Sequence, residues 1–437
     1  MNTAMLAKVR HSPPSPGYLI RYNPQLDSGD DRVPDLLNFT AMKGLIDASL
    51  DGEADALLEL NGEMEARDLH LRRVAATRRG ALTGMEYRIE PVESVQDETS
   101  KGLAIEAGDF IRSELERITT FRKCLRKMAT AIGPNLAVVE LIWGAGANTG
   151  RVVDFGPIGH SRLTIDQQSS PRVLIVTMGN PQGSEMPLDK FITHVPDDVG
   201  TNIFSNTLTR AMAAIWVTKH FAMQDWGTFC EVFGMPVRVA QYGKNTTPAE
   251  KAEALAAMAS MGSRAYMLLS DKMQYEMKEV NRQSQPFGGA DGIVEYCQRQ
   301  QAIGYLGQNL TTDTTGSGGL GGAGAAQVHQ HTLRIITEED AANEAQTLRE
   351  QLFRPMLKYR YPDRWEQMPV PHFVRVWRDP DLTQVEQAEV IRKASQEIGL
   401  SVPVAWAKQR LGIPDVEDNE AIIQRFEPVA APMGGGF

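Results

Sequence analysis

Basic residues are missing from one long stretch of this chain. Neither lysine nor arginine occurs between Arg299 and Arg334, and no lysine occurs between Lys278 and Lys358. The glycine-rich run inside that stretch therefore cannot be a phosphate loop of the GxxxxGK[ST] type, which needs its lysine and follows a strand. This run follows a helical pattern instead. Cysteine is scarce: Cys124, Cys230 and Cys297 are far apart and form no CxxC pair. That excludes a disulfide framework or a zinc ribbon and reads as three buried thiols in a reducing compartment. No segment approaches the roughly 20 apolar residues of a membrane span. The first ten residues are too polar for a secretory signal, so synthesis and assembly in the cytoplasm are expected. There is no G-x-S-x-G, no HExxH and no paired-carboxylate nuclease signature. Positive charge is also in deficit overall, with a formal net charge of −10. This argues against a broad basic grip on nucleic acid, but not against a surface past which nucleic acid slides, because tight binding comes from phosphate contacts.

What is present is a globular composition, 42% hydrophobic and 23% charged over 437 residues, enough for two or three domains. Residues 1–37 hold Pro13, Pro14, Pro16, Pro24 and Pro34 and read as an extended arm that orders only where it docks. Apolar residues recur at helical spacing over 36–60 and 63–82. The second pattern carries Arg67, Arg72, Arg73, Arg78 and Arg79. The plainer reading of these is a solvated helix face, and the sharper one is a contact with DNA or an acidic partner. A strand is expected over 85–91, then amphipathic helices over 101–118 and 121–132, the latter with Arg122, Lys123, Arg126 and Lys127 outward. Short strands follow at 136–143, 152–155, 163–166, 173–178 and 191–195, separated by Gly, Pro, Asn and Ser. Helices and a β-rich layer in this order make an α+β arrangement.

The central stretch organises the rest. Residues 206–233 predict one helix of roughly 40 Å, with Leu208, Met212, Ile215, Trp216, Lys219, Met223, Trp226, Phe229 and Cys230 near one stripe. Gly234 and Pro236 stop it. A strand at 237–242, an Ala/Met-rich helix at 248–261 and strands at 265–269 and 273–280 form a small module. Thr247 is its expected N-cap and Glu250 the capping-box partner. Such a module is too small to stand alone. A second long helix is expected over 293–310. The run 311–326 is rich in glycine, from Gly316 to Gly324, with Asp313 as its only charge, and costs much entropy to order. A third helix is expected over 335–357, its early acidic residues favoured by the helix dipole. A strand at 373–377 and helices at 382–397, 403–411 and 419–426 complete the chain. His329 and His331 would share one face of a strand as a two-ligand metal site. No third ligand is apparent, and polar surface histidines are the plainer reading. No cofactor is expected.

Several of these segments resemble the portal proteins of Mu-like tailed bacteriophages, the portals of the head–tail connection. They are Trp226-Gly-Thr-Phe-Cys-Glu-Val-Phe-Gly-Met-Pro236, the stretch 254–270, Leu306-Gly-Gln-Asn-Leu-Thr-Thr-Asp313, Leu352-Phe-Arg-Pro-Met-Leu357 and Pro371-His-Phe373. Leu69-His-Leu-Arg-Arg-Val-Ala-Ala-Thr-Arg-Arg79 with Tyr87-Arg-Ile89 belongs to the same pattern. The resemblance spans about 38–413. It implies a ring, usually of twelve subunits, at one capsid vertex, through which double-stranded DNA is packaged and ejected. It implies a wing over 38–204, stem helices over 205–234 and 289–310, and a clip over 235–288. A tunnel loop over 311–334, a wing helix and return strand over 335–381, a helical crown over 382–426 and a tail over 427–437 complete the assignment. Terminase large subunit and a head–tail connector would dock at the clip, through Arg238, Tyr242, Lys244, Arg264, Tyr266 and Lys272. Major capsid and scaffolding proteins are further implied partners. Thr311, Thr312, Asp313, Thr314, Thr315, Ser317, Leu320, Gln327 and His329 would line the channel. The family pattern differs in one respect: some portals carry a lysine in the tunnel loop, and this chain has none there. The implied location is the portal vertex of the virion. The other classes considered are a non-phage oligomeric adaptor without a channel and a metal-dependent DNA-processing enzyme using His329 and His331.

Overall fold

The computed structural model describes residues 12–21, 38–51, 54–93, 97–166, 172–197, 202–233, 238–260, 266–270, 290–308, 322–377, 384–397, 401 and 403–411. They divide into two units, Met1–Val376 and Trp377–Phe437. The first unit opens with helices α1 (Phe39–Leu50), α2 (Ala54–Arg67) and α3 (Leu69–Gly84). Asp68 separates the last two. Its carboxylate caps the amide nitrogens of His70 and Leu71, so the continuous pattern expected over 63–82 breaks at an N-cap.

Strand β1 (Glu86–Glu90) leads to helices α4 (Glu98–Arg117) and α5 (Phe121–Ala129). The β-rich layer follows as β2 (Ala137–Trp143), β3 (Val152–Pro157), β4 (Leu163–Asp166), β5 (Arg172–Thr177), β6 (Asn180–Glu185) and β7 (Phe191–His194). These form two antiparallel three-stranded sheets, in the orders β3-β2-β7 and β4-β5-β6. Strand β6 was not expected, because Asn-Pro-Gln-Gly-Ser-Glu has turn composition. It forms as the return arm of a hairpin, and Gly183 (φ +88) passes where a Cβ would lie 2.7 Å from side chains of Leu174 and Thr164.

Helix α6 (Leu208–Phe233) is a single helix, as its pattern requires. Strand β8 (Arg238–Tyr242), helix α7 (Pro248–Ser260) and strand β9 (Tyr266–Ser270) make the small module, with β8 and β9 parallel. The parallel pairing follows from the helical crossover between them. The strand expected over 273–280 lies outside the described residues. Helix α8 (Ala290–Leu306) packs along α6. Met212 reaches so close to Gly304 that a Cβ there would lie 2.8 Å from its methyl carbon.

Helix α9 (Gly322–Leu348) starts well before the expected position 335. Part of the stretch assigned to a loop over 311–334 is therefore helical, and the alanines at 323, 325 and 326 favour this in spite of the glycines. After a π-turn at Arg349–Phe353 comes α10 (Arg354–Arg360). Strand β10 (His372–Val376) then pairs antiparallel with β1. That pairing closes the main core, where Tyr87 stacks on Phe373 at 5.3 Å and meets Phe121 edge-on at 5.5 Å. In the second unit, α11 (Gln384–Arg392) and α12 (Val404–Leu411) pack together. The helix expected over 419–426 lies outside the described residues.

Candidate functional site

The long helices α6 and α8 are joined by a buried polar hub, near the middle of α6 and toward the C-terminal end of α8. Lys219 of α6 donates to both carboxylate oxygens of Asp68, at 2.8 and 2.9 Å. Gln301 of α8 donates to the same carboxylate at 2.7 Å. Lys219 and Gln301 also meet, at 3.4 Å. All three side chains are buried. Burial pushes the Asp68 carboxyl up, but the hydrogen bonds from Lys219 and Gln301 prevail and hold it below its usual value. One carboxylate thus caps α3 and ties both long helices to it, a fully satisfied arrangement of the kind that fixes geometry.

The basic face of α3 contributes to the same region. Arg78 pairs with Asp340 of α9 through Nε and Nη2, at 2.7 and 2.8 Å. Arg79 pairs with Glu65 at 2.6 and 2.7 Å and donates to the Ile132 carbonyl at 2.8 Å. Neither faces a free surface, which corrects the solvated-face reading and the DNA-contact reading for these two. Arg67, Arg72 and Arg73 are exposed. Arg122, Lys123 and Arg126 of α5 are exposed as expected, whereas Lys127 is half-buried. Burial and the nearby Arg79 lower Lys127 to about 8.

Among the described side chains of α6, Ala222 is the last one buried. Met223 is 52% and Trp226 44% exposed, so the stripe on which both lie is not covered along its whole length. On α8, Tyr296 and Ile303 are exposed while Cys297, Gln301 and Tyr305 are buried. Cys124 is buried as well, so two of the three thiols follow the sequence reading. The side chain of Cys230 lies outside the description.

In the small module, Arg238 and Tyr266 are register partners at one end of the parallel pair. Tyr242, at the other end of β8, carries the Lys251 ammonium 3.8 Å above its ring. Lys244 is exposed. The capping box forms as expected: the Thr247 amide donates to Glu250 at 2.7 Å, and the Glu250 amide returns to the Thr247 hydroxyl at 3.4 Å. Arg264 and Lys272 lie outside the described residues. So do Thr311, Thr312, Asp313, Thr314, Thr315, Ser317 and Leu320.

Positions 327, 329 and 331 fall within α9. Residues two apart on a helix do not share a face. The strand geometry that would have paired His329 with His331 is thus absent, and His331 is exposed. Further along α9 the helix is bolted down. Glu344 makes a bidentate, buried pair with Arg375 of β10 at 2.8 and 3.0 Å. Thr347 meets the buried His194 ring at 2.9 Å. The Gln351 side chain exchanges hydrogen bonds with the main chain of Thr193, at 2.7 and 3.0 Å.

Sequence reasoning missed the hub. The available signal was Lys219, a lysine in the middle of an apolar helical stripe, which calls for a buried carboxylate partner. Asp68 and Gln301 carried no comparable signal, because their partners are distant in sequence.

A family model described as the portal protein of Mu bacteriophage matches residues 58–413. The chain is 25% identical over 390 residues to the portal protein of Escherichia phage Mu, covering 88% of this chain and 72% of that protein. It is 24% identical over 386 residues to the Mu-like prophage FluMu protein gp29 of Haemophilus influenzae, covering 87% of this chain and 71% of that protein. Among solved structures it is similar to a chain in the virion of a native gene transfer agent particle. That match has a TM-score of 0.49 and 12% identity, and covers 86% of this chain and 100% of that one. A chain from the neck of the empty particle also gives a TM-score of 0.49 and 12% identity, over 80% of this chain and 92% of that one. With the family model spanning most of its length, the chain belongs to the family of Mu bacteriophage portal proteins.

Proposed function

We propose that this portal protein is the subunit of a closed ring of twelve copies at one capsid vertex, and that double-stranded DNA enters and leaves along the ring axis. The observation that carries this reading is the divided character of the stem. Helix α6 is held at its root by Asp68, yet beyond Ala222 it presents Met223 and Trp226 to solvent, and α8 presents Tyr296 and Ile303. Large apolar side chains left uncovered on two adjacent helices suit a contact with a second copy. A net charge of −10 per chain would give a ring of twelve about −120, which suits a duct that does not hold phosphates.

In this reading the work is geometric and electrostatic, with no catalysis by the portal itself, and ATP hydrolysis belongs to a separate motor. The stem sets the bore. The glycine-rich run that leads into α9 lines its narrowest part. The module 235–288 meets the terminase large subunit and later the head–tail connector, with Arg238, Tyr242, Lys244, Arg264, Tyr266 and Lys272 as its contact set. Capsid and scaffolding proteins surround the ring. It is assembled in the host cytoplasm and resides at the portal vertex of the virion.

The test is electron microscopy of the purified protein, with light-scattering mass on the same sample. Rings with a central channel and a mass of about ten to fourteen chains are expected for a closed cyclic assembly. A monomer or compact dimer at every salt concentration would favour an adaptor without a channel. Shortening 316–321 should then leave the rings intact and impair DNA packaging or retention.

A further inference from the structure

Beneath the arm lies a buried ion pair that belongs to the sheet. Glu140 sits in the middle of β2, and Lys190 precedes β7; they are 0% and 2% exposed and 3.3 Å apart. Their remaining hydrogen-bonding capacity is turned toward the arm, residues 12–21. Lys190 donates to the main-chain carbonyls of Ser15 and Gly17, at 3.2 and 2.6 Å. Glu140 accepts the amide of Leu19 on one carboxylate oxygen and that of Ile20 on the other. The Trp143 carbonyl accepts the Gly17 amide at 3.0 Å, and the buried Arg162 donates to the Arg21 carbonyl at 3.1 Å.

Every one of these contacts is with main chain. The cation takes carbonyls, and the carboxylate takes amides. A buried ion pair left half-satisfied is costly, so the cleft is built to be occupied. Its demands on sequence are few. Gly17 has φ +80, a conformation that disfavours any side chain, although a Cβ there would meet nothing within 4 Å. Tyr18 lies over Gly156, where a Cβ would come 3.3 Å from its ring, and its hydroxyl donates to Asp154.

We propose that the Glu140–Lys190 cleft is a binding site for polypeptide main chain bent at a left-handed glycine, and that residues 12–21 of the same chain are its ligand. The arm is a strap held by recognition of its backbone, not a strand of the sheet. The site requires a glycine at one position, an aromatic ring after it, and free amides two and three residues beyond the glycine. It stands whether or not the chain forms a ring.

Gly17→Val tests this without touching the core. Hydrogen exchange at Leu19 and Ile20 should be protected in the parent chain. It should speed up about tenfold or more in the variant, because a left-handed φ is strained for a β-branched residue. Unprotected amides in the parent, or unchanged protection in the variant, would overturn the proposal. The full-length Gly17→Val chain, its cleft vacated, should capture a fluorescent peptide of residues 12–21. It should not capture the same peptide N-methylated at Leu19 and Ile20. Equal capture of both peptides, or of neither, would refute recognition of the main chain. A photoreactive side chain in place of Tyr18 decides whose arm is bound: an intrachain product near Gly156 is expected. An interchain product would replace the chain's own arm by that of a second copy, and no product at Gly156 would remove the site.

Discussion

At the Asp68 hub, the root from which α6 and α8 are held, the carboxylate accepts from the amides of His70 and Leu71, from Lys219 and from Gln301, all within the chain. In the module that follows α6, the described part of α7 buries little beyond Met258, and Leu255 is 38% exposed. Its sheet has two described strands, and a two-stranded sheet is marginal in water without further packing. The root therefore satisfies its polar groups internally, while the described side chains of α7 are mostly exposed. The contrast can be broken at the root or sharpened at the module.

The largest effect should come from Asp68→Ala. It leaves the Lys219 ammonium buried without its carboxylate, and removing one partner of a buried pair typically costs about 3–5 kcal/mol. Denaturant unfolding of the Met1–Val376 unit measures this. The double variant Asp68→Ala/Lys219→Met should recover much of the loss, because no charge is then stranded. If the single variant lost less than about 1 kcal/mol, in the range of an exposed ion pair, the hub would not be the element that holds α6 and α8 to α3.

A second effect is expected from pH. Burial lowers His194 from 6.5 to about 4. Its folded pKa lies below the unfolded one, so the folded state binds fewer protons across that window. Its contribution is full above about pH 6.5 and is lost as pH falls toward 4, by on the order of 3 kcal/mol at most. Thr347 is the hydrogen-bonding partner that faces the ring, so acid should loosen α9 from β7. His194→Gln should flatten the stability profile between pH 6.5 and 4, and an unchanged slope would show that other groups govern acid sensitivity. The module carries no described buried histidine, so its own spectroscopic signals should change little over that range.

Much of this architecture was legible because it is local. The 3.6-residue pattern gave α6 as one helix. The Thr247–Glu250 spacing gave the cap of α7, and β-branched runs gave β2 and β7. Where the pattern failed, tertiary partners decided. Asp68 split one predicted helix into two because its carboxylate finds amides and, across the fold, Lys219. Asn180–Glu185 became a strand because β5 offered an edge. Arg78 and Arg79 looked like surface charge because Asp340 and Glu65 cannot be inferred from periodicity. The channel and docking residues were taken from a family resemblance, and several lie outside the described residues. Of those that are described, Arg238 and Tyr266 show only their register, whereas Tyr242 also holds Lys251 over its ring and Lys244 is exposed.

The smallest effect, and the one that sharpens the contrast most, should come from Lys251→Ala. It removes a cation held 3.8 Å over the Tyr242 ring, a contact worth about 0.5–1 kcal/mol at an exposed site. Because its described neighbours on α7 are mostly exposed, the main unfolding transition should shift by no more than this. Helix α7 keeps its Thr247 cap, so helical content should be unchanged by circular dichroism. The consequence should appear in assembly instead. If the module is completed by neighbours, the tilt of Tyr242 and the charge beside it belong to a contact surface. The variant should then alter ring yield or partner docking out of proportion to its effect on the subunit. A loss of several kcal/mol from the subunit alone would mean that the module is integrated like the root, and the two regions would no longer differ in kind.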